Sequence, residues 1–192
     1  MQVTSPAFKQ NAREALADRQ LQKALGNVRA GFIDKRRKAV DALPEFDALR
    51  DSARAIKDHT LSHLDLYLAA YEEKVTASGG HVHWAETAAD ARGIILDICR
   101  KHNARTVAKG KSMITEEIAL NDFLEASGIT PVETDLGEYI IQLRGEHPSH
   151  IIAPAVHLNK EQVEEDFRRV HIDLPPERDL SDPASLLGEA RR

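Results

Sequence analysis

The sequence predicts an α/β fold: a parallel sheet with crossover helices, preceded by an N-terminal helical hairpin. Three observations carry this. From His81 to Thr134 strand-like and helix-like stretches alternate, which is the order of a βαβ unit. Before His81 the apolar spacing is helical over two long stretches separated by Leu43-Pro44. Gly128 then stands where a helix stops, just before a short extended run around Pro131.

The expected segments are residues 1–80 as the helical hairpin, 81–172 as the α/β domain, and 173–192 as a linker with a short last helix. Ser5-Pro6 pairs a capping hydroxyl with a proline at the first helical position, so a helix is expected from about Ala7 to Ala42, weakened at Gly26 and Gly31. A second helix follows Pro44 and runs to Ala77, where Ser78-Gly79-Gly80 ends it. Phe46, Leu49, Ala53, Ile56, Leu64, Tyr67 and Tyr71 recur at three- and four-residue steps and form one apolar seam. That seam packs on the α/β domain or on a partner subunit.

His81 to Trp84 alternates as a strand. Thr87 and Asp90 are spaced as a capping pair ahead of the stripe Ala91, Ile94, Ile95 and Ile98. Thr106 to Ala108 is the next strand, and Lys109-Gly110-Lys111 the turn after it. Ser112 or Thr115 caps the following helix, with Glu116 and Glu117 in its first turn. Ile129 to Thr134 is extended. Asp135 and Glu138 are spaced as a capping box before Leu136, Tyr139, Ile140 and Leu143, a short helix with a strand as the alternative. The apolar residues around Pro154 allow a short edge strand at most. Lys160 to Val170 is a charged helix, and Asp182-Pro183 starts the last one.

The chemistry-bearing residues cluster where strands end, which is where α/β folds bind ligands. Lys109, Lys111 and Ser112 sit on one turn. Two ammonium groups, a hydroxyl and helix-start amides form a plausible anion site for a small carboxylate or phosphate ester. The letters GKS resemble a phosphate-binding loop, but that motif needs glycine at position 105, which is Arg, so a nucleotide-hydrolysing reading fails. Glu133 and Asp135 sit on the next strand end. Asp135 has a capping task in sight, and Glu133 has none. Of nine histidines, His150 and His157 flank the apolar loop after Leu143 and are the ones expected to line a site. His59 and His63 share a helix face without a third ligand, so no metal is expected.

Composition narrows the function classes. Net charge is −5, with +2 over residues 1–80 and −7 over the remainder, which argues against nucleic acid. Lys35-Arg36-Arg37-Lys38 is the one basic cluster and reads as a solvated helix face. No apolar run has the length of a membrane span, and the N-terminus has no apolar signal core. Cys99 is the only cysteine, so no internal disulfide forms, and a reducing compartment, the cytoplasm, is expected. A single cysteine cannot hold an iron–sulfur cluster.

The stretch KGKSMITEEIALNDFLEASGI, then VETDLGEYIIQL and PSHIIAPAVH, resembles the lactate-utilisation (LUD) domain in its B-type form. The resemblance covers the N-terminal half of that family's usual chain, so a truncated fragment of a longer protein is expected. It implies a cytoplasmic electron-transfer component of L-lactate oxidation to pyruvate, working with sister A- and C-type subunits. It also implies a fold similar to the CoA-transferase and sugar-phosphate-isomerase group. The 4Fe–4S clusters it implies belong to a C-terminal half beyond this sequence, and this portion alone is expected to be inactive. Lys109, Ser112, Glu133 and Asp135 match the family's motif positions, with no catalytic role assigned. Two roles remain open: binding a small anionic ligand, or docking the sister subunits.

Overall fold

A computed structural model describes residues 5–191. They divide into two compact units. One is residues 30–91; the other joins the described residues up to Arg29 with those from Arg92 onward.

In the first unit, α3 (Asp34–Asp41) ends before Pro44 and α4 (Phe46–Ser62) begins after it. The Arg36 guanidinium lies over the Phe46 ring at 5.6 Å, a contact that spans the break. The helix expected to run on to Ala77 is interrupted at His63, and α5 (Leu64–Ala77) is separate. The cause is local competition for carbonyls. The Thr60 and Ser62 hydroxyls donate to the carbonyls of Ile56 and Asp58, and His63 Nδ1 sits 2.9 Å from the His59 carbonyl. Such back-bonding bends helices. The predicted seam is exposed: Leu49 is 53% accessible, Ile56 67% and Tyr71 61%.

The expected strand from His81 to Trp84 does not form. The segment is extended, but no described strand pairs with it, and Trp84 is exposed. Alternation is a pattern of side chains, whereas a strand also needs a neighbour to take its amides.

In the second unit, α1 (Phe8–Ala17) and α2 (Arg19–Val28) replace the front of the single long helix expected. Asp18 makes the break: its carboxylate accepts from the Leu21 amide and caps α2. A π-helical turn, Arg29–Ile33, begins at the last residue of this stretch and holds Gly31, already in the other unit, where further weakening was expected. Gln20 Nε2 donates to the His157 carbonyl at 3.0 Å and ties α2 to the later loop.

The rest of this unit is α/β, as predicted. α6 (Ala88–Lys101) starts at the expected pair: the Thr87 amide and hydroxyl donate to Asp90 Oδ2, and the Asp90 amide donates to Thr87 Oγ1. Strand β1 (Thr106–Lys109) pairs in parallel with β2 (Thr130–Glu133), in the register Thr106 to Thr130 through Lys109 to Glu133. The crossover between them is two short helices rather than one, α7 (Met113–Glu117) and α8 (Leu120–Ala126). Ala119 breaks them apart in the left-handed conformation, φ 50°. The Arg92 guanidinium donates to the Ile118 carbonyl at that break. Gly128 ends α8 at φ 79°, a region that glycine enters without steric cost.

Leu96, Cys99, Leu120, Leu124 and Ile129 make the core under the sheet. Beyond β2 come α9 (Leu136–Arg144), α10 (Lys160–Val170) and α11 (Pro183–Ala190). A second core of Ile140, Phe167, Leu180 and Leu186 joins these three helices. The Pro154 region forms turns, not an edge strand. It lies tight on α9, because a Cβ at Gly137 would meet Pro154 Cγ at 2.8 Å. Among the described residues no helix is long and apolar enough to cross a membrane.

Candidate functional site

The parallel register places Lys109 and Glu133 side by side at the carboxyl ends of β1 and β2. Both are buried, at 7% and 5% exposed. The Lys109 ammonium donates to Glu133 Oε1 and, at 2.7 Å, to Asn121 Oδ1; Glu116 Oε1 lies 3.6 Å away. Asn121 Nδ2 donates to the same Glu133 oxygen at 3.1 Å. Asn121 lies just past the left-handed break at Ala119, within the first turn of α8. A buried ion pair is tolerable only with such added hydrogen bonds.

Gln142 on α9 completes the frame. Its Nε2 donates to the Pro131 carbonyl at 2.8 Å, and its Oε1 accepts from the Glu133 amide at 3.1 Å. One side-chain amide thus gives the far edge of β2 the two bonds a further strand would give. The near side closes through Thr134, whose amide and hydroxyl both donate to the Lys109 carbonyl.

A second pair lies two residues on from Lys109 and Glu133. Lys111 Nζ is 3.1 Å from Asp135 Oδ1 and donates to the Ile152 carbonyl at 3.1 Å. Asp135 caps α9, accepting from the amides of Gly137 and Glu138. Burial alone would raise its pKa. The Lys111 hydrogen bond and charge, with the two amides, outweigh burial and hold the carboxyl below its ordinary value. Ser112 caps α7 through the Thr115 amide. His150 Nδ1 accepts from the amides of Ile152 and Ala153. His157 bridges Ser149 Oγ at 2.9 Å and Glu146 Oε2 at 3.0 Å.

The predicted residues therefore form two couples, Lys109 with Glu133 and Lys111 with Asp135. Ser112, His150 and His157 are built into caps and turns. Both ammonium groups already have carboxylate partners.

Four residues that the sequence did not place in a site belong to this one: Asn121 and Gln142, which spacing did not single out, and Glu116 and Glu138, which it read as helix-start carboxylates. They line a cleft of about 310 Å³ between α7–α8 and α9, together with Asp122, Glu125, Glu133 and Glu146. Carboxylates dominate it. Glu138 was expected to close a capping box with Asp135. Instead it is 4% exposed, and its Oε1 has no hydrogen-bond partner. Burial first, then the charges of Glu116 and Glu133, pushes its pKa above the ordinary 4.5. The sign for stability follows. The folded state keeps this proton longer than the unfolded state, so Glu138 lowers stability as pH rises from 4.5 through its folded pKa. Asp135 acts oppositely, and its contribution is lost as pH falls below its ordinary 3.8. Glu138→Gln is expected to raise the denaturation midpoint at pH 7 and to flatten its decline as pH rises above 4.5, read by urea titration followed by circular dichroism. An unchanged pH profile would mean that Glu138 is not held away from water.

Residues 68–182 match the LUD domain. The chain is 44% identical over 163 residues to an uncharacterized electron transport protein of Escherichia coli K12, covering 85% of this chain and 34% of that protein. It is 43% identical over 169 residues to lactate utilization protein B of Macrococcus caseolyticus, covering 88% of this chain and 35% of that one. Against lactate utilization protein B of Bacillus subtilis it is 38% identical over 182 residues, covering 92% and 38%. The chain thus spans little more than a third of the length of these relatives. No solved structure matches it. With more than half of its residues inside the domain match, this chain belongs to the LUD domain family.

Proposed function

We propose that this chain is the LUD-domain part of a B-type lactate-utilisation protein, an electron-transfer component of L-lactate oxidation to pyruvate. We further propose that it acts there as a docking module for the sister A- and C-type components. The names of the relatives, lactate utilization protein B and electron transport protein, support the first statement. The electron carriers of such a protein lie outside these residues. A 4Fe–4S cluster needs several thiolates, and the one cysteine, Cys99, is buried in the core under the sheet.

The observation that carries the docking reading is the exposed apolar surface of α4 and α5. Leu49, Ala53 and Ile56 share one face of α4, and Leu64, Tyr67 and Tyr71 one face of α5. Exposed large apolar side chains gathered on one helix face suit a protein interface. The cleft favours docking over capture of a small carboxylate for a different reason: carboxylates line it, and the nearby lysines are already paired.

Co-expression with the A- and C-type components tests this. Leu49→Asp and Ile56→Asp are expected to abolish co-elution on size exclusion, while changing the stability of the chain itself by no more than about 0.5 kcal/mol, as exposed substitutions do. Assembly that survives both variants sinks the docking reading. Titration with lactate, pyruvate and phosphate is expected to give no saturable heat. Saturable heat that is lost in Lys111→Ala would restore the anionic-ligand reading at the sheet end.

A further inference from the structure

The docking role leaves Glu138 without a task. A carboxyl oxygen buried with no donor is costly, and folded proteins seldom keep one without a use. The donors around it are engaged elsewhere. Lys109 is held by Glu133 and Asn121, Lys111 by Asp135 and the Ile152 carbonyl, Asn121 by Glu133, and Gln142 by the Pro131 carbonyl. The Glu138 amide is given to Asp135. What the cleft lacks is a donor with positive charge.

We propose that the cleft between α7–α8 and α9 binds a small-molecule primary amine, whose ammonium group donates to Glu138 and is flanked by Glu116 and Glu133. The chemistry selects this class. An anion would meet a wall of carboxylates. A metal ion needs convergent ligands, and among the described residues no group of three or more His, Cys, Asp or Glu is placed to hold one. A guanidinium seeks two oxygens in a plane, whereas a single orphan oxygen suits the compact ammonium. At about 310 Å³ the cleft is at the small end for organic ligands, so the amine is a metabolite-sized molecule.

The electrostatics agree with this. The groups acting on Glu138 are Glu116 on α7, Glu133 at the end of β2, and Asp135 and Lys111 at the mouth of the turns, with Lys111 the one that opposes the rest. An arriving ammonium opposes these charges and favours the ionised carboxylate. The proposal stands apart from the docking reading, because no residue of α4 or α5 enters it.

The test is calorimetric titration of the whole chain with butylammonium chloride, with sodium chloride and tetramethylammonium chloride at equal ionic strength as controls. The expected result is saturable binding of butylammonium alone. Glu138→Gln is expected to weaken it tenfold or more. Should that variant fail to fold, Glu116→Gln, whose side chain is 26% exposed, is expected to weaken binding severalfold. Heats no larger than those of sodium chloride overturn the proposal. So does equal binding of tetramethylammonium, which has no N–H to donate, or unchanged affinity in a folded variant.

Discussion

Lys109→Ala is expected to destabilise the protein by about 3–5 kcal/mol, the cost of stranding one member of a buried ion pair. The substitution removes an aliphatic stem from the packed end of β1. More costly, it leaves Glu133 at 5% exposure with Asn121 as its side-chain donor. Water cannot replace the ammonium cheaply there. Changing both members should recover most of the loss. In Lys109→Met with Glu133→Gln neither charge of the buried pair remains to be stranded, and the new amide still accepts from Asn121. Urea unfolding of the two variants against the parent measures this. A single variant that loses under about 1 kcal/mol, well below the range for breaking a buried pair, would mean that the ammonium is solvated and free to meet a ligand. The experiment therefore separates a framework lysine from a binding lysine.

What could be read from the sequence, and what could not, divides by distance along the chain. Asp135 as a cap, Gly128 as a stop, the Thr87–Asp90 pair and the extended stretch at Thr130 are settled within four residues of themselves, and each is found in place. The pairing of Lys109 with Glu133 spans 24 residues and was not legible: the sequence places each near a strand end, and only the parallel register shows them to be partners. Asn121 and Gln142 were invisible. Each acts through an amide that resembles any surface amide until the chain folds back on the sheet. Glu138 was misread for a better reason: its spacing from Asp135 fits a capping box, and only burial shows that its carboxyl is not returned to the cap. The strand expected at His81 failed for want of a neighbour, a non-local fact.

The C-terminal helices carry the second large expected effect. Phe167→Ala should cost about 3–5 kcal/mol, as deletions of a buried aromatic ring do. Phe167 is fully buried between α9 and α11. Its ring stacks on His171 at 4.9 Å and lies 6.4 Å from Tyr139. His171 in turn bridges Tyr139 and Glu189, its Nε2 at 2.8 Å from the tyrosine hydroxyl and its Nδ1 at 2.8 Å from the carboxylate. Removing the ring takes away both the apolar contact and the surface that orients this polar chain. Leu180 and Leu186, at 1% and 7% exposed, would then face a void rather than a partner. The readout that matters is hydrogen exchange. If the second core is one cooperative unit, amides of α10 and α11 lose protection together while those of α6 and α8, packed on the first core, keep theirs. Because α9 carries Gln142 to the edge of β2 and Glu138 to the cleft, loosening it should also weaken the frame around Lys109 and Glu133. Protection lost in α11 alone would mean that the last helix is an appendage. Loss reaching α9 would make the C-terminal helices the support on which the cleft is built.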